Sequence, residues 1–183
     1  MQKLLSKKFF ERSAVEVAEN LIGKYLVSKK YGKFLITETE AYEGPDDLAS
    51  HASKGRTKRT EVMFGEAGVF YVYLVYGMYY MLNVVCGKKG HPAAVLIRGV
   101  VPLEAAEMVF PASNGIDGPG KVTKFLNMGK ELNDKKAAPE TGLWFEDSGL
   151  MITKTKIKKT PRVGVTYAGP VWSNKLWRFV YRG

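Results

Sequence analysis

The chain has 183 residues, with 28 Lys and Arg against 18 Asp and Glu, and a single cysteine, Cys86. One cysteine excludes an intrachain disulfide, and with only His51 and His91 beside it no Cys/His cluster has the spacing of a zinc site. The net charge of +10, in a chain without low-complexity tails, favours a polyanionic partner, nucleic acid before an acidic membrane surface, because each neutralised phosphate releases condensed counterions.

The N-terminal MQKLLSKKFFERS is basic but lacks the apolar stretch and cleavage site of a signal peptide, so a cytoplasmic protein is expected. SAVEVAENLIG predicts a helix: Ser13 and Glu16 form a capping box, Val15, Ala18, Leu21 and Ile22 share a face, and Gly23 supplies a left-handed stop. KYLVSKKYGKFLITETEAY predicts a hairpin turning near Tyr31 and Gly32, with GPDD ending its second arm. Residues 48–68 are polar and glycine-containing and include the basic stretch SKGRTKRT, a surface loop.

VFYVYLVYGMYYMLNVV, from Val69 to Val85, carries six aromatic rings and no charge. Its alternation suits strands, with Tyr71, Tyr73 and Val75 on one side and Phe70, Val72, Leu74 and Tyr76 on the other. Gly77 interrupts the pattern and places Tyr76 and Met78 at or near the tip of a hairpin, where an aromatic is either packed on a neighbour or kept for a partner. Asn83, a polar amide within an apolar strand, needs hydrogen bonds, since burying it without partners costs about 1–3 kcal/mol.

AAVLIRGVV is a buried strand, LEAAEMVF a short helix over 103–110, and PASNGIDGPG a loop. KVTKFLNMG predicts a helix begun at Pro119 or Gly120 and stopped by Gly129, and LWFE, RVGVTY and LWRFVYR are short strands. There is no repeat and no long linker. The expectation is one α+β domain over 1–183, a curved, mainly antiparallel sheet with helices around it, and no membrane span.

Glu38 and Glu40 fall on one face of the strand ITETEAY, with Tyr42 continuing that side. Close carboxylates raise each other's proton affinity, which suits a general base; a sugar hydrolase or plain ion pairing with Lys or Arg are the other readings of the pair. His51 follows in LASHASKGR. Acids at a strand end, a nearby histidine, a basic loop and a tyrosine hairpin together match what an enzyme needs to extrude a base from duplex DNA, fill the gap and stack the base.

At these residues the sequence resembles the alkyladenine (3-methyladenine) DNA glycosylase family. ETEAYEGPDDLASHASKGRTKR is similar to the family's catalytic segment, YVYLVYGMYYMLNVVC to its DNA-inserting hairpin and AAVLIRGVVPLE to the strand and turn that follow, with weaker likeness in GPGKVTKFL and RVGVTYAG. The resemblance implies a bacterial-type minimal catalytic domain with a protruding hairpin, acting as a monomer on double-stranded DNA that contains damaged purines. It implies monofunctional hydrolysis, without cofactor, metal or lysine Schiff base, releasing 3-methyladenine, 7-methylguanine, hypoxanthine or ethenoadenine in base excision repair. By the same resemblance Glu40 is the general base that activates water, and Arg98 binds a phosphate beside that water. Tyr42 and Tyr73 sandwich the flipped purine, His51 completes the pocket and Asn83 excludes guanine through its 2-amino group. Tyr76 and Met78 enter the minor groove, and Lys54, Arg56, Lys58, Arg59 and Lys121 contact the DNA backbone. The residues alone leave two other readings open: a non-enzymatic binder stacking exposed bases on Tyr73, Tyr76 and Tyr79, and a bifunctional glycosylase/lyase or carbohydrate hydrolase.

Overall fold

A computed structural model describes residues 3–103 and 115–182. In chain order these form β1 (Lys3–Leu4), α1 (Lys7–Phe10), α2 (Ala14–Leu21), β2 (Tyr25–Ser28), β3 (Gly32–Glu43), β4 (Phe70–Val75), β5 (Tyr79–Val85), β6 (Ala93–Pro102) and β7 (Ile116–Asp117). Then follow α3 (Pro119–Phe125), β8 (Leu143–Asp147), β9 (Ile157–Thr160), α4 (Gly169–Ser173) and β10 (Arg178–Tyr181). The strands build one antiparallel sheet in the order β1-β8-β2-β3-β6-β5-β4, with β7 added to β6 and β10 joining β3 to β9. The α+β expectation holds.

β3 is the spine of the sheet. Its first half pairs with β2 and its second half with β10 on the same edge, while β6 runs along the other edge from Phe34 to Glu43. The predicted hairpin is therefore β2 and β3, turning through Lys29 to Tyr31 into Gly32, whose φ of 85° only glycine adopts without strain. On one side of the sheet Leu26, Phe34, Ile36, Phe70, Leu82, Ile97, Phe145 and Phe179 pack with α1 and α2 into the main core. Each such side chain contributes about 1.5–3 kcal/mol when fully buried.

α2 begins where the sequence places it, with the Ser13 hydroxyl accepting from the Glu16 N–H at 3.3 Å. Its buried face is Ala14, Val17, Ala18 and Leu21; Val15, expected there, is only partly covered, because the helix turns the i, i+3, i+4, i+7 stripe one residue away from it. The Thr39 hydroxyl donates to the Ala18 carbonyl at 2.9 Å and fastens the helix to β3. Gly23, with φ 82°, is the left-handed stop.

β4 and β5 pair from Phe70 with Val84 to Val75 with Tyr79. The two faces separate as the alternation predicts as far as Tyr73: Phe70 and Val72 enter the main core, whereas Tyr71 and Tyr73 face a second cluster with Met63, Val85 and Ala94. Leu74, expected on the core side, is 42% exposed, because the hairpin there extends past the core. The connecting turn takes left-handed φ at Tyr76 (52°) and Gly77 (69°), and the Met78 N–H closes it on the Val75 carbonyl at 3.2 Å. Tyr76 is 88% and Met78 66% exposed. α3 lies against β5: the Thr123 hydroxyl donates to the Tyr80 carbonyl at 2.8 Å, and a Cβ on Gly120 would stand 3.0–3.2 Å from Tyr79 side-chain atoms.

Two expectations are corrected. RVGVTY is not a strand: Gly164 takes φ 73°, the chain turns there, and Thr166–Ala168 is a short 3₁₀ helix. The Val163 N–H goes to a carboxylate instead of a neighbouring strand. The helix at 119 stops at Phe125, before Gly129, because Asn127 takes the left-handed conformation at φ 48°. The helix expected over 103–110 lies, after Leu103, outside the described residues. Among the described residues no helix is long and apolar enough to cross a membrane.

Candidate active site

Strand alternation sets Glu38, Glu40 and Tyr42 on one face of β3. Opposite them the β3–β6 register steps from Ile36–Val100 to Glu38–Gly99 and then to Thr39–Ile97, so Thr37 on one strand and Arg98 on the other are left without a cross-strand partner. Such compensating bulges re-aim side chains. Arg98 Nε donates to Glu38 Oε1 at 2.7 Å, while its contacts with Glu40 are both 3.5 Å, Nε to Oε1 and Nη1 to Oε2.

Glu40 has no solvent exposure. Its Oε2 accepts from the Tyr42 hydroxyl at 2.9 Å and its Oε1 from the Val163 N–H at 2.8 Å. Burial raises the Glu40 pKa above the ordinary carboxylate value, against the pull of the Arg98 charge, the Val163 N–H and the Tyr42 hydroxyl, and the Glu38 charge adds to the rise. A carboxylate offers about four lone-pair positions, so these donors do not saturate it.

The turn that brings Val163 to Glu40 is held by a buried ion pair. Arg162 binds Asp47 through Nη1–Oδ2 at 2.5 Å and Nη2–Oδ1 at 2.8 Å, and donates to the carbonyls of Ala41 and Trp172. Its guanidinium also lies 4.9 Å from the Tyr42 ring centre and 5.0 Å from that of Trp177. Arg162, the residue before Val163, thereby fixes both the Tyr42 ring and the turn that aims the Val163 N–H at Glu40. Sequence reasoning assigned neither Asp47 nor Arg162 a role, although both stand in the quoted blocks GPDD and RVGV.

Tyr42, Arg98 and Val163 form part of the wall of a cavity of about 410 Å³, and Glu40 lies directly behind them. The same cavity is lined by His51, Tyr73, Tyr76 and Asn83. His51 opens the 3₁₀ helix His51–Lys54; its Nδ1 lies 3.2 Å from the Tyr71 hydroxyl and its ring 4.6 Å from that of Tyr73, edge-on. Burial, with Arg59 and Lys54 nearby, lowers the His51 pKa to about 4, so the imidazole is neutral at physiological pH. Asn83 donates to the carbonyls of Tyr71 at 3.1 Å and Met81 at 3.3 Å, which answers the question its burial raised.

Met78 stands outside the cavity at the hairpin tip, beside Tyr76. The five basic candidates, Lys54, Arg56, Lys58, Arg59 and Lys121, are all exposed. Arg56 pairs with Glu61 at 3.4 Å and covers Phe64, while Arg59 lies 4.9 Å from the Tyr73 ring centre and lines the cavity. His91, the other histidine, lies elsewhere: its Nε2 meets Glu43 at 2.8 Å.

A family model described as methylpurine-DNA glycosylase matches residues 8–183. A protein of Ehrlichia chaffeensis is 43% identical over 97% of this chain and 92% of its own length, and one of Rickettsia felis is 44% identical over 97% and 92%. A third, from Legionella pneumophila, is 44% identical over 98% and 94%; all three bear the name "Putative 3-methyladenine DNA glycosylase". With a match along nearly its whole length, the chain belongs to the methylpurine-DNA glycosylase family, hydrolases that act on the N-glycosidic bond in DNA.

Proposed function

We propose that this enzyme, as a monomer, removes alkylated and deaminated purines from double-stranded DNA by rotating the nucleotide into the 410 Å³ cavity and hydrolysing its glycosidic bond with water activated by Glu40. The observation that carries the reading is a buried, incompletely saturated carboxylate immediately behind an aromatic cavity in a chain of net charge +10. Glu40 takes a proton from water, the oxygen bonds to C1′, and the base departs with the glycosidic electron pair. Methylation at N3 or N7 makes the purine cationic, so it leaves neutral and needs no acid. The developing oxocarbenium charge on the sugar is stabilised by the same carboxylate.

In this reading Tyr42 and Tyr73 stack on the base, and their faces attract a cationic purine by about 0.5–2 kcal/mol. His51 hydrogen-bonds near the base or sugar phosphate, Asn83 clashes with the 2-amino group of guanine, and Arg98 holds a phosphate near the water. Tyr76 and Met78 fill the gap left in the stack, while Lys54, Arg56, Lys58, Arg59 and Lys121 serve the phosphate backbone. The released bases would include 3-methyladenine and 7-methylguanine, which leave as neutral bases, and hypoxanthine and ethenoadenine, which are neutral in DNA and take up a proton from water as the bond breaks.

Glu40→Gln keeps the shape and removes the base. It is expected to fold and bind methylated duplex but to release purines about 10²–10⁴-fold more slowly, with the released bases identified by mass spectrometry. Full release by this variant would remove Glu40 from the mechanism. Strand scission at the abasic product without added alkali would overturn the purely hydrolytic course.

A further inference from the structure

Glu38 is 7% exposed and does not line the cavity, yet it makes the shorter bonds of the cluster behind it. Its Oε1 accepts from Arg98 Nε at 2.7 Å, from β6, and from Arg178 Nε at 2.5 Å, from β10. Arg98 stands between two carboxylates and closes on Glu38, remaining 3.5 Å from Glu40 at both contacts. The backbone favours that choice. Arg98 is the unpaired residue of its bulge, and Gly99 stands opposite Glu38, where a Cβ would come within 3.0 Å of the Glu38 Cβ.

Were Arg98 to form a two-pronged pair with Glu40, the carboxylate would be neutralised and the lone pairs left by Tyr42 and Val163 would be filled. We propose that Glu38 is a positioning residue for base removal: it anchors Arg98 by Nε, keeps the guanidinium from closing on Glu40, and so leaves a Glu40 lone pair free to accept from the attacking water. The inference rests on Glu40 being the base. Arg178 holds Glu38 from the far side and partly neutralises it.

The groups facing Glu40 come from every surrounding element: Glu38 and Tyr42 on β3, Arg98 on β6, Tyr73 on β4, the Val163 N–H after β9, Arg162 over Tyr42, and Arg178, which is opposite Glu40 in the β3–β10 register. Two substitutions among them have opposite consequences. Glu38→Gln removes a like charge and releases Arg98 toward Glu40, so Glu40 ionises more easily and becomes a weaker, engaged base. Arg178→Gln leaves the Glu38 charge less neutralised, so Glu40 ionises less easily.

The test is single-turnover base release from methylated duplex between about pH 4.5 and pH 9 for the wild type, Glu40→Gln, Glu38→Gln and Arg178→Gln, with thermal unfolding of each. For Glu38→Gln the acid limb is expected to move down by about one pH unit and the rate at neutral pH to fall about tenfold. For Arg178→Gln the limb moves up. A folded Glu38→Gln protein with the wild-type limb overturns the proposal. If that variant does not fold, Arg178→Gln decides alone, and an unmoved or lowered limb overturns it. A Glu40→Gln protein that retains both limb and rate overturns instead the assignment of the base, a separate result.

Discussion

Tyr76 combines two features that stability alone would not select: an aromatic ring 88% exposed and a left-handed backbone, at φ 52°. That conformation costs a non-glycine residue about 1–2 kcal/mol. Tyr76→Gly is therefore expected to raise stability by about 1 kcal/mol in urea unfolding, while weakening binding to damaged duplex at least about tenfold by fluorescence anisotropy. Lost stability with unchanged binding would show a packing role. His51 gives a pH test. Its pKa falls from 6.5 to about 4 in the folded protein, so the unfolded chain binds more protons in that interval; the His51 contribution is whole above pH 6.5 and is lost as pH falls toward 4. His51→Gln should lose less stability than the wild type between those pH values in denaturant titrations. At this scale the sequence made the placement of Glu40, Tyr42 and Tyr73 legible, because alternation along a strand assigns faces, and that of Tyr76 through the turn-forming Gly77 rather than through alternation, which put it on the opposite side from Tyr73. Asp47 and Arg162 were not legible, since their contact spans 115 positions and each looks like an ordinary surface charge.

Among elements, β3 and β6 were readable as strands, but their paired bulges were not: nothing in ITETEAY or LIRGVV marks Thr37 and Arg98 as the residues left out of register. Likewise RVGVTY has the composition of a strand, and only its tertiary partners turn it into a loop that gives the Val163 N–H to Glu40 and buries Arg162. Asp47→Ala would leave that guanidinium buried without its counter-charge, and thermal denaturation should show a loss of about 3–5 kcal/mol. The α3–β5 contact is equally specific. Gly120→Val must push against Tyr79 at 3.0–3.2 Å, so a loss of about 1–3 kcal/mol is expected, together with weaker damaged-duplex binding as the hairpin is displaced.

For the whole molecule, the charge of +10 correctly pointed to nucleic acid, and the single sheet with helices around it followed from the strand and helix patterns. Charge did not say where the DNA lies; the exposed lysines offer a test, because Lys54 ends the 3₁₀ helix that His51 opens and Lys121 stands in the helix that supports the hairpin. If these side chains meet phosphates, the log–log slope of affinity against salt should fall by about one for each of Lys54, Lys58 and Lys121 replaced by Ala, for damaged and undamaged duplex alike. An unchanged slope would place the backbone track elsewhere. The turn at Tyr76 and Gly77 bears on search as well as on affinity. If the tip enters the groove as proposed, it does so already folded and adds no conformational delay at each base pair. Dwell time would then follow how readily each step unstacks, and a lesion would first be met as a soft place in the helix, before any chemical distinction between bases is drawn.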